Sequence, residues 1–290
     1  MDYFEPKTIR EAVSLLARYG EKAKVIAGGT DVLVDMKFKE EPSCLVNIKR
    51  IPALSYIRED DGFLRVGTLT PIREIETSSL VRQKLPLLWE AAHQFASLQI
   101  RNTATIGGNV CRASPSGEML APLLVLEASA VARFSRGEKK LPFGELFLGP
   151  GQTLLGSKGL LTEIEIALPP ERSGSVYLKH AVRGAMDIAM VGVAVLLTPD
   201  AGGKKAKDVR IGLGAVAPTP IRAKSAEKAL RGKAMARAVV EEAARRAAAD
   251  AKPITDHRAS AEYRRWIVEA LTRKGLAQAW KAATGKEVDR

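Results

Sequence analysis

Two segments that each contain a pair of adjacent glycines constrain this chain more than any other feature. The first glycine segment is residues 25–32, and the second glycine segment is residues 105–109. Glycine reaches backbone conformations with positive φ and lets a neighbouring group approach the chain closely. Successive backbone N–H groups in such a turn can converge on one centre and bind an anion. A lone glycine pair is usually a plain turn, but two such segments predict loops that hold a diphosphate from both sides.

The residues around the second glycine segment favour a nucleotide as the ligand. Thr103 and Thr105 place hydroxyl donors before the glycines, and Asn109 places an amide after them. A further turn at residues 114–117 leads to the carboxylate of Glu118 and then to a leucine-rich helix. A phosphate-binding loop beside a carboxylate that accepts hydrogen bonds from sugar hydroxyls suits a nucleotide.

The length and charge of the chain leave several classes of partner open. With 290 residues, the chain can form two or three compact units that have their own cores. The formal net charge of +12 is compatible with nucleic acid, with an acidic protein partner, or with a solvated basic surface. The basic residues are scattered and match no nucleic-acid-binding motif, so we expect no nucleic-acid partner. Nucleic-acid binding stays a remote alternative, and it predicts strongly salt-dependent association.

Membrane, secreted and metal-binding classes find no support in the sequence. The longest uncharged apolar run, residues 188–199, is too short to span a bilayer and predicts a buried strand. The first residues lack the pattern of a secretory signal, so we expect a cytoplasmic protein. The two cysteines, Cys44 and Cys111, form no C-x-x-C motif, and we therefore expect no zinc site and no iron–sulfur cluster in this chain.

No group of residues reads as a complete catalytic centre. The three histidines are isolated, and no serine lies in a G-x-S-x-G motif. Residues 212–217 match the loose dinucleotide pattern G-x-G-x-x-A, but Pro218 and Pro220 follow at the point where that motif needs a helix. We therefore predict no catalytic residue, which suits a protein whose chemistry belongs to a bound cofactor.

The order of predicted elements indicates an α+β fold. Thr8 and Glu11 form a capping box that begins a helix ending at Gly20. An Asp-Gly turn predicts a hairpin over residues 55–67, and two prolines at 169–170 predict a domain boundary. Helices are predicted at 8–19, 70–75, 87–95, 226–230, 234–249 and 259–271, and strands at 24–27, 45–48, 55–59, 63–67, 129–134, 160–168, 177–197 (two strands) and 209–216.

Taken together, the motifs resemble the FAD-binding, or medium, subunit of the molybdenum hydroxylases, the xanthine dehydrogenase and carbon monoxide dehydrogenase family. The resemblance spans nearly the whole chain, and its motifs occur in the family's order. They lie at residues 27–31, 105–109, 113–115 with Glu118, 160–164, Lys179 with 187–189, and 214–222.

This resemblance implies an FAD-binding domain of the vanillyl-alcohol-oxidase type over residues 1–170, with lobes at about 1–54 and 55–170. It also implies a C-terminal domain over 171–290 with a small antiparallel sheet and helices. FAD would lie extended between the lobes, with the two glycine segments on opposite sides of its diphosphate.

The resemblance also assigns individual cofactor contacts. Glu118 stands where the family usually has an aspartate near the ribose or ribityl hydroxyls, and Lys179 matches a cofactor-contacting lysine. Phe95 and Leu161 match positions that flank the flavin, although Phe95 also suits the core face of a helix. The predicted cofactor-binding residues are Val25, Ile26, Ala27, Gly28, Gly29, Thr30, Asp31, Val32, Phe95, Thr105, Ile106, Gly107, Gly108, Asn109, Glu118, Leu161 and Lys179.

The implied function is electron transfer within a hetero-oligomer. A large subunit would carry the molybdenum cofactor, a small subunit would carry [2Fe-2S] clusters, and this chain would pass electrons through FAD to an external acceptor. The first alternative is a self-sufficient flavin oxidase of the same fold. That alternative needs a larger substrate domain and a base near the flavin, and the sequence offers neither.

Overall fold

The computed structural model describes residues 1–38 and 41–289, and its elements separate into two compact units. In chain order the elements are β1 (Asp2–Phe4), α1 (Ile9–Tyr19), β2 (Ala23–Ile26), α2 (Val32–Phe38), β3 (Cys44–Asn47), β4 (Ile57–Asp60), β5 (Phe63–Gly67), α3 (Ile72–Thr77), α4 (Ser79–Lys84), α5 (Pro86–His93), α6 (Leu98–Arg101), α7 (Ile106–Arg112), α8 (Leu120–Val125), β6 (Ser129–Phe134), β7 (Gly137–Pro142), β8 (Phe147–Gly149), β9 (Gln152–Thr153), β10 (Leu160–Ala167), β11 (Gly174–His180), β12 (Val191–Pro199), β13 (Ala206–Gly214), β14 (Ile221–Arg222), α9 (Lys224–Leu230), α10 (Arg237–Asp250) and α11 (Ala261–Thr284).

The two units are not consecutive in sequence. Unit 1 comprises Met1–Thr77, Ser97–Ser114 and Glu127–Ala167, and unit 2 comprises Ser78–Ala96, Pro115–Leu126 and Leu168–Arg290. Helices α4, α5 and α8 therefore belong to unit 2 although they precede residue 170. The division into sequential domains at residue 170 stays a prediction.

Unit 1 begins with a three-stranded parallel sheet in the order β1-β3-β2, against which α1 packs. The predicted cap of α1 is confirmed, because the Thr8 hydroxyl accepts a hydrogen bond from the Glu11 N–H. The Glu11 carboxylate accepts from the Lys7 N–H, one residue before the position that a capping box specifies. Gly20, with φ of 54°, ends the helix.

A second sheet of unit 1 has five antiparallel strands in the order β4-β5-β10-β6-β7. The hairpin of β4 and β5 turns at Asp61 and Gly62, whose φ angles of 49° and 78° confirm the predicted Asp-Gly turn. Between β5 and β10 in sequence, unit 1 also contains α3, α6 and α7. The second glycine segment begins at the residue before α7.

Unit 2 is built on a four-stranded antiparallel sheet in the order β11-β12-β13-β14. Strand β12 is buried along nearly its whole length, which confirms the strand predicted from the uncharged apolar run. Side chains of β12 and β13 such as Val195 and Ile211 share a core with Leu276 and Trp280 of α11. Helix α8 packs so closely on β13 that a Cβ at Gly212 would lie 2.7 Å from the carbonyl oxygen of Ala121.

The α+β class is therefore confirmed, with one parallel sheet and two antiparallel sheets in unit 1, the second formed by β8 and β9, and an antiparallel sheet with helices in unit 2. For most of the predicted elements, the predicted first and last residues differ from the observed ones by a few residues. The elements that were not predicted from the sequence are β1, β7, β8, β9, β14, α2, α4, α6 and α7.

Candidate functional site

The first glycine segment is a loop between β2 and α2 in unit 1. Gly29 has φ of 81°, which confirms the predicted need for a positive φ at this pair. The Leu33 N–H donates to the Gly29 carbonyl at 3.0 Å, which is the first helical hydrogen bond of α2 and leaves the N–H groups before Leu33 without helical partners. In the part of the chain that the structure describes, no backbone N–H of residues 28–32 donates to a protein acceptor. The loop therefore has a run of available donors, as the anion-binding hypothesis requires.

The second glycine segment is not the loop that the sequence predicts. Gly107 and Gly108 lie in the first turn of α7, and neither has a positive φ. Thr105 caps this helix, because its hydroxyl accepts a hydrogen bond from the Gly108 N–H at 3.1 Å. The preceding element is α6.

The backbone of the second segment also cannot act as the predicted anion-binding nest. Its N–H groups already donate within the protein: Ile106 to the Thr70 carbonyl at 3.1 Å, Gly107 to the Thr68 carbonyl at 3.0 Å, Gly108 to the Thr105 hydroxyl, and Asn109 to the Thr105 carbonyl at 3.0 Å. A donor engaged in this way is not available to a phosphate. The hypothesis that both segments offer backbone donors is therefore wrong for this one.

Close approach is the reason for glycine at both sites. A Cβ at Gly28 would lie 2.1 Å from the carbonyl oxygen of Thr103, two residues before the second segment. A Cβ at Gly107 would lie 1.6 Å from the Thr68 hydroxyl oxygen and 2.7 Å from the Thr68 carbonyl oxygen. Gly28 is thus packed against the residues that directly precede the second segment, and Gly107 against the residue that follows β5, without room for a side chain at either glycine.

Leu161 lies in the same region of unit 1. It is buried in β10, at a register irregularity where that strand pairs with β6. The next residue, Thr162, accepts through its carbonyl a hydrogen bond from the Thr68 N–H at 3.1 Å. Thr68 therefore connects this part of β10 to Gly107 of the second glycine segment.

The structure brings the remaining predicted residues together in unit 2. The Lys179 ammonium donates to Glu118 Oε1 at 2.7 Å, to the Asp187 carbonyl at 2.7 Å and to the Gln94 carbonyl at 3.3 Å. Phe95, next to Gln94, is buried just after the end of α5. Three predicted contacts from distant parts of the sequence thus form one cluster.

The Glu118–Lys179 pair is buried, since the two side chains are only 10% and 9% exposed. Burial raises the pKa of Glu118, and the ammonium of Lys179 opposes that rise. An ammonium has three donors, and these three acceptors use all of them. Lys179 is therefore a buried, fully hydrogen-bonded lysine and not a solvated surface residue.

Sequence reasoning missed Arg112, the last residue of α7. Its guanidinium forms ion pairs with Asp35 at 2.5 Å and with Asp31 at 3.3 Å, and so connects α7 to the first glycine segment. No motif marks this residue. The available signal was the spacing of Asp31 and Asp35, which places both carboxylates on one side of a helical turn.

Comparison with known proteins decides the family. Residues 1–169 match the family described as FAD binding domain in molybdopterin dehydrogenase, and residues 176–279 match the CO dehydrogenase flavoprotein C-terminal domain. The chain belongs to this family. It is 34% identical over 280 residues to the carbon monoxide dehydrogenase medium chain of Hydrogenophaga pseudoflava, covering 96% of each chain. It is 33% identical over 287 residues to the xanthine dehydrogenase FAD-binding subunit of Escherichia coli O157:H7, covering 98% of this chain and 97% of that one.

A solved structure agrees with these relatives over nearly the full length. The chain superposes with a TM-score of 0.94 and 35% identity on a chain of carbon monoxide dehydrogenase from Hydrogenophaga pseudoflava, in a form that lacks the Mo-pyranopterin moiety of the molybdenum cofactor. The match covers 97% of this chain and 98% of that chain. The predicted family, fold class, FAD-binding domain and oxidoreductase class are confirmed.

Two negative observations accompany the site. Among residues 1–38 and 41–289, no three His, Cys, Asp or Glu side chains come together as a metal-binding group. Within those same residues, no helix combines the length and the apolar character that crossing a membrane requires.

Proposed function

We propose that this chain binds FAD with the diphosphate on the first glycine segment. The observation that carries the proposal is the run of backbone N–H groups at residues 28–32 that donate to no protein acceptor in the described chain. A diphosphate is an anion that such donors bind well. The close contact of Gly28 with Thr103 holds this loop beside the second segment without an intervening side chain.

The second glycine segment contributes side chains and shape to the proposed site. Its backbone donors are engaged, so Thr105 would contact the cofactor through its hydroxyl hydrogen and Asn109 through its side chain. Phe95, Glu118, Leu161 and Lys179 stay predicted cofactor contacts. Bound FAD supplies the redox chemistry, and the residues of this chain bind and orient it.

We infer that the FAD serves electron transfer inside a larger complex. In the proposal a partner [2Fe-2S] subunit delivers electrons, a large molybdenum-cofactor subunit is their source, and an external acceptor receives them. The names of the relatives, a medium chain and an FAD-binding subunit, support a chain that works with others. The proposal includes a cytoplasmic location. It also includes a boundary in the sequence near residue 170 between the FAD-binding domain and the C-terminal domain.

The complex isolated through a tag on this chain allows a direct test. Its FAD, molybdenum and iron contents are measured, and a second sample is stripped of FAD with a chaotropic salt. Both samples are reduced with limiting dithionite and mixed with NAD⁺, a quinone or oxygen. We expect cluster reoxidation to slow by more than tenfold without FAD and to recover when FAD is added back.

Equal reoxidation rates with and without FAD would contradict the electron-transfer role. If the tagged chain purifies with FAD but without molybdenum or iron, the self-sufficient oxidase becomes the better account. That alternative further predicts that the isolated holo-chain oxidises a small organic substrate with oxygen as acceptor.

A further inference from the structure

Arg112 connects the two glycine segments through charge. Its Nη1 and Nη2 atoms lie 2.5 Å and 3.3 Å from the two carboxylate oxygens of Asp35, which is a bidentate geometry. Its Nε lies 3.3 Å from Oδ1 of Asp31. Arginine holds two carboxylates at once because its donors are arranged in a planar fork.

The position of Asp31 makes this contact unusual. Asp31 directly precedes α2, where an aspartate normally accepts a hydrogen bond from a backbone N–H two or three residues further on. In the described residues no N–H of the first turn of α2 donates to the Asp31 side chain, and the Leu33 N–H donates to the Gly29 carbonyl. The carboxylate faces Arg112 instead.

The repulsion between the Asp31 and Asp35 carboxylates gives a reason for their shared contact with Arg112. Asp31 and Asp35 are four residues apart, and the Asp35 N–H donates to the Asp31 carbonyl at 2.9 Å, so the two carboxylates lie one helical turn apart. Like charges at this spacing repel each other. Arg112 is 34% exposed and Asp35 is 21% exposed, so solvent screens the Arg112–Asp35 pair only in part.

We propose that Arg112 is a positioning residue of the diphosphate loop that withholds the Asp31 carboxylate from the loop's backbone donors. The inference rests on the proposed function, because it concerns the same donors that would bind the FAD diphosphate. Without Arg112, the Asp31 carboxylate is free to turn toward these N–H groups, which belong to its own loop, and to occupy them itself. An internal carboxylate then competes with the diphosphate and also repels it.

The test compares FAD affinities of the full-length chain and its variants by flavin fluorescence titration. We expect Arg112→Met to raise the Kd for FAD about tenfold, equivalent to about 1.4 kcal/mol. The double variant Arg112→Met/Asp31→Ala removes the competing carboxylate and is expected to return the Kd to within about threefold of wild type. The control is Arg136→Met, at an exposed arginine in the turn between β6 and β7, which is expected to leave the Kd unchanged.

The outcomes separate this inference from the proposed function. If wild type binds FAD and Arg112→Met binds equally well, Arg112 has no positioning role. If Arg112→Met binds FAD weakly and the added Asp31→Ala fails to restore affinity, competition by Asp31 is refuted. Arg112 then acts only by holding α7 and α2 together. A wild-type chain that takes up no FAD overturns the proposed function itself. Should Arg112→Met fail to fold by circular dichroism, Arg112→Lys with and without Asp31→Ala makes the same comparison.

Discussion

Replacing Gly28 by alanine places a methyl group where the structure has no room for it. The new Cβ would lie 2.1 Å from the Thr103 carbonyl oxygen, 2.9 Å from its carbonyl carbon and 3.1 Å from Cα of Ala104. All three atoms belong to the backbone, so no side-chain rotation relieves the clash. Ordinary contacts begin near 3.4 Å, so one segment must move by more than about 1 Å.

The expected cost follows from the size of that shift. Overpacking of this kind destabilises proteins by about 1–3 kcal/mol, and each kcal/mol lowers the melting temperature by about 2–4 °C in a unit of this size. We therefore expect Gly28→Ala to melt several degrees below wild type. Because the displaced loop carries the proposed diphosphate donors, the Kd for FAD should rise at least about tenfold.

A matched control is available in the same unit. Gly149 in β8 has an ordinary φ, and a Cβ there would meet its nearest atom, the Gln152 side-chain oxygen, at 3.8 Å. At such a position alanine is neutral or stabilises by up to about 1 kcal/mol, because it restricts the unfolded chain. Thermal unfolding and FAD titration of both variants test the argument. Equal melting temperatures and equal FAD affinities for the two variants would refute the close-approach reasoning.

The remaining predictions concern the Glu118–Lys179 pair and the second glycine segment. Lys179→Met leaves the Glu118 carboxylate buried without its cation, and chemical denaturation at pH 7 should show a loss of about 3–5 kcal/mol. Burial raises the folded-state pKa of Glu118 above the unfolded value of 4.5. The folded state therefore loses stability as the pH rises above 4.5 and the buried carboxyl ionises. The destabilisation caused by Lys179→Met should accordingly shrink as the pH is lowered from 7 toward 4.5. A pH-independent loss would contradict this, and adding Glu118→Gln should recover much of the stability at pH 7. Gly107→Ala should destabilise by about 1–3 kcal/mol in thermal unfolding, because its Cβ would lie 2.7 Å from the Thr68 carbonyl oxygen; an unchanged melting temperature would argue against that contact.

Local sequence signals predicted the elements whose cause is local. The Thr8 cap, the Asp-Gly hairpin turn and the buried strand β12 each depend on residues close together in the chain. The positive φ of Gly29 belongs to the same class. Such features are visible in sequence because the interactions that create them involve neighbours.

Features that depend on tertiary packing were misread or missed. Glycine is a poor helix former, so local reasoning read Gly107 as a turn residue, whereas contact with Thr68 requires glycine inside the first turn of α7. The pairing of Glu118 with Lys179 joins residues 61 positions apart, and sequence spacing carries no signal for it. The Arg112 contacts to α2 were missed because no motif marks Arg112, although the helical spacing of Asp31 and Asp35 is visible in the sequence.

FAD binding is tested most directly by an absorption spectrum of the purified full-length chain, followed by heat release and identification of the chromophore. We expect flavin absorption bands and the release of FAD at about one molecule per chain, with a weaker signal in Gly28→Ala than in Gly149→Ala. A colourless chain that takes up no added FAD, alone or with co-expressed partner subunits, would contradict the claim that its first glycine segment binds the diphosphate of FAD.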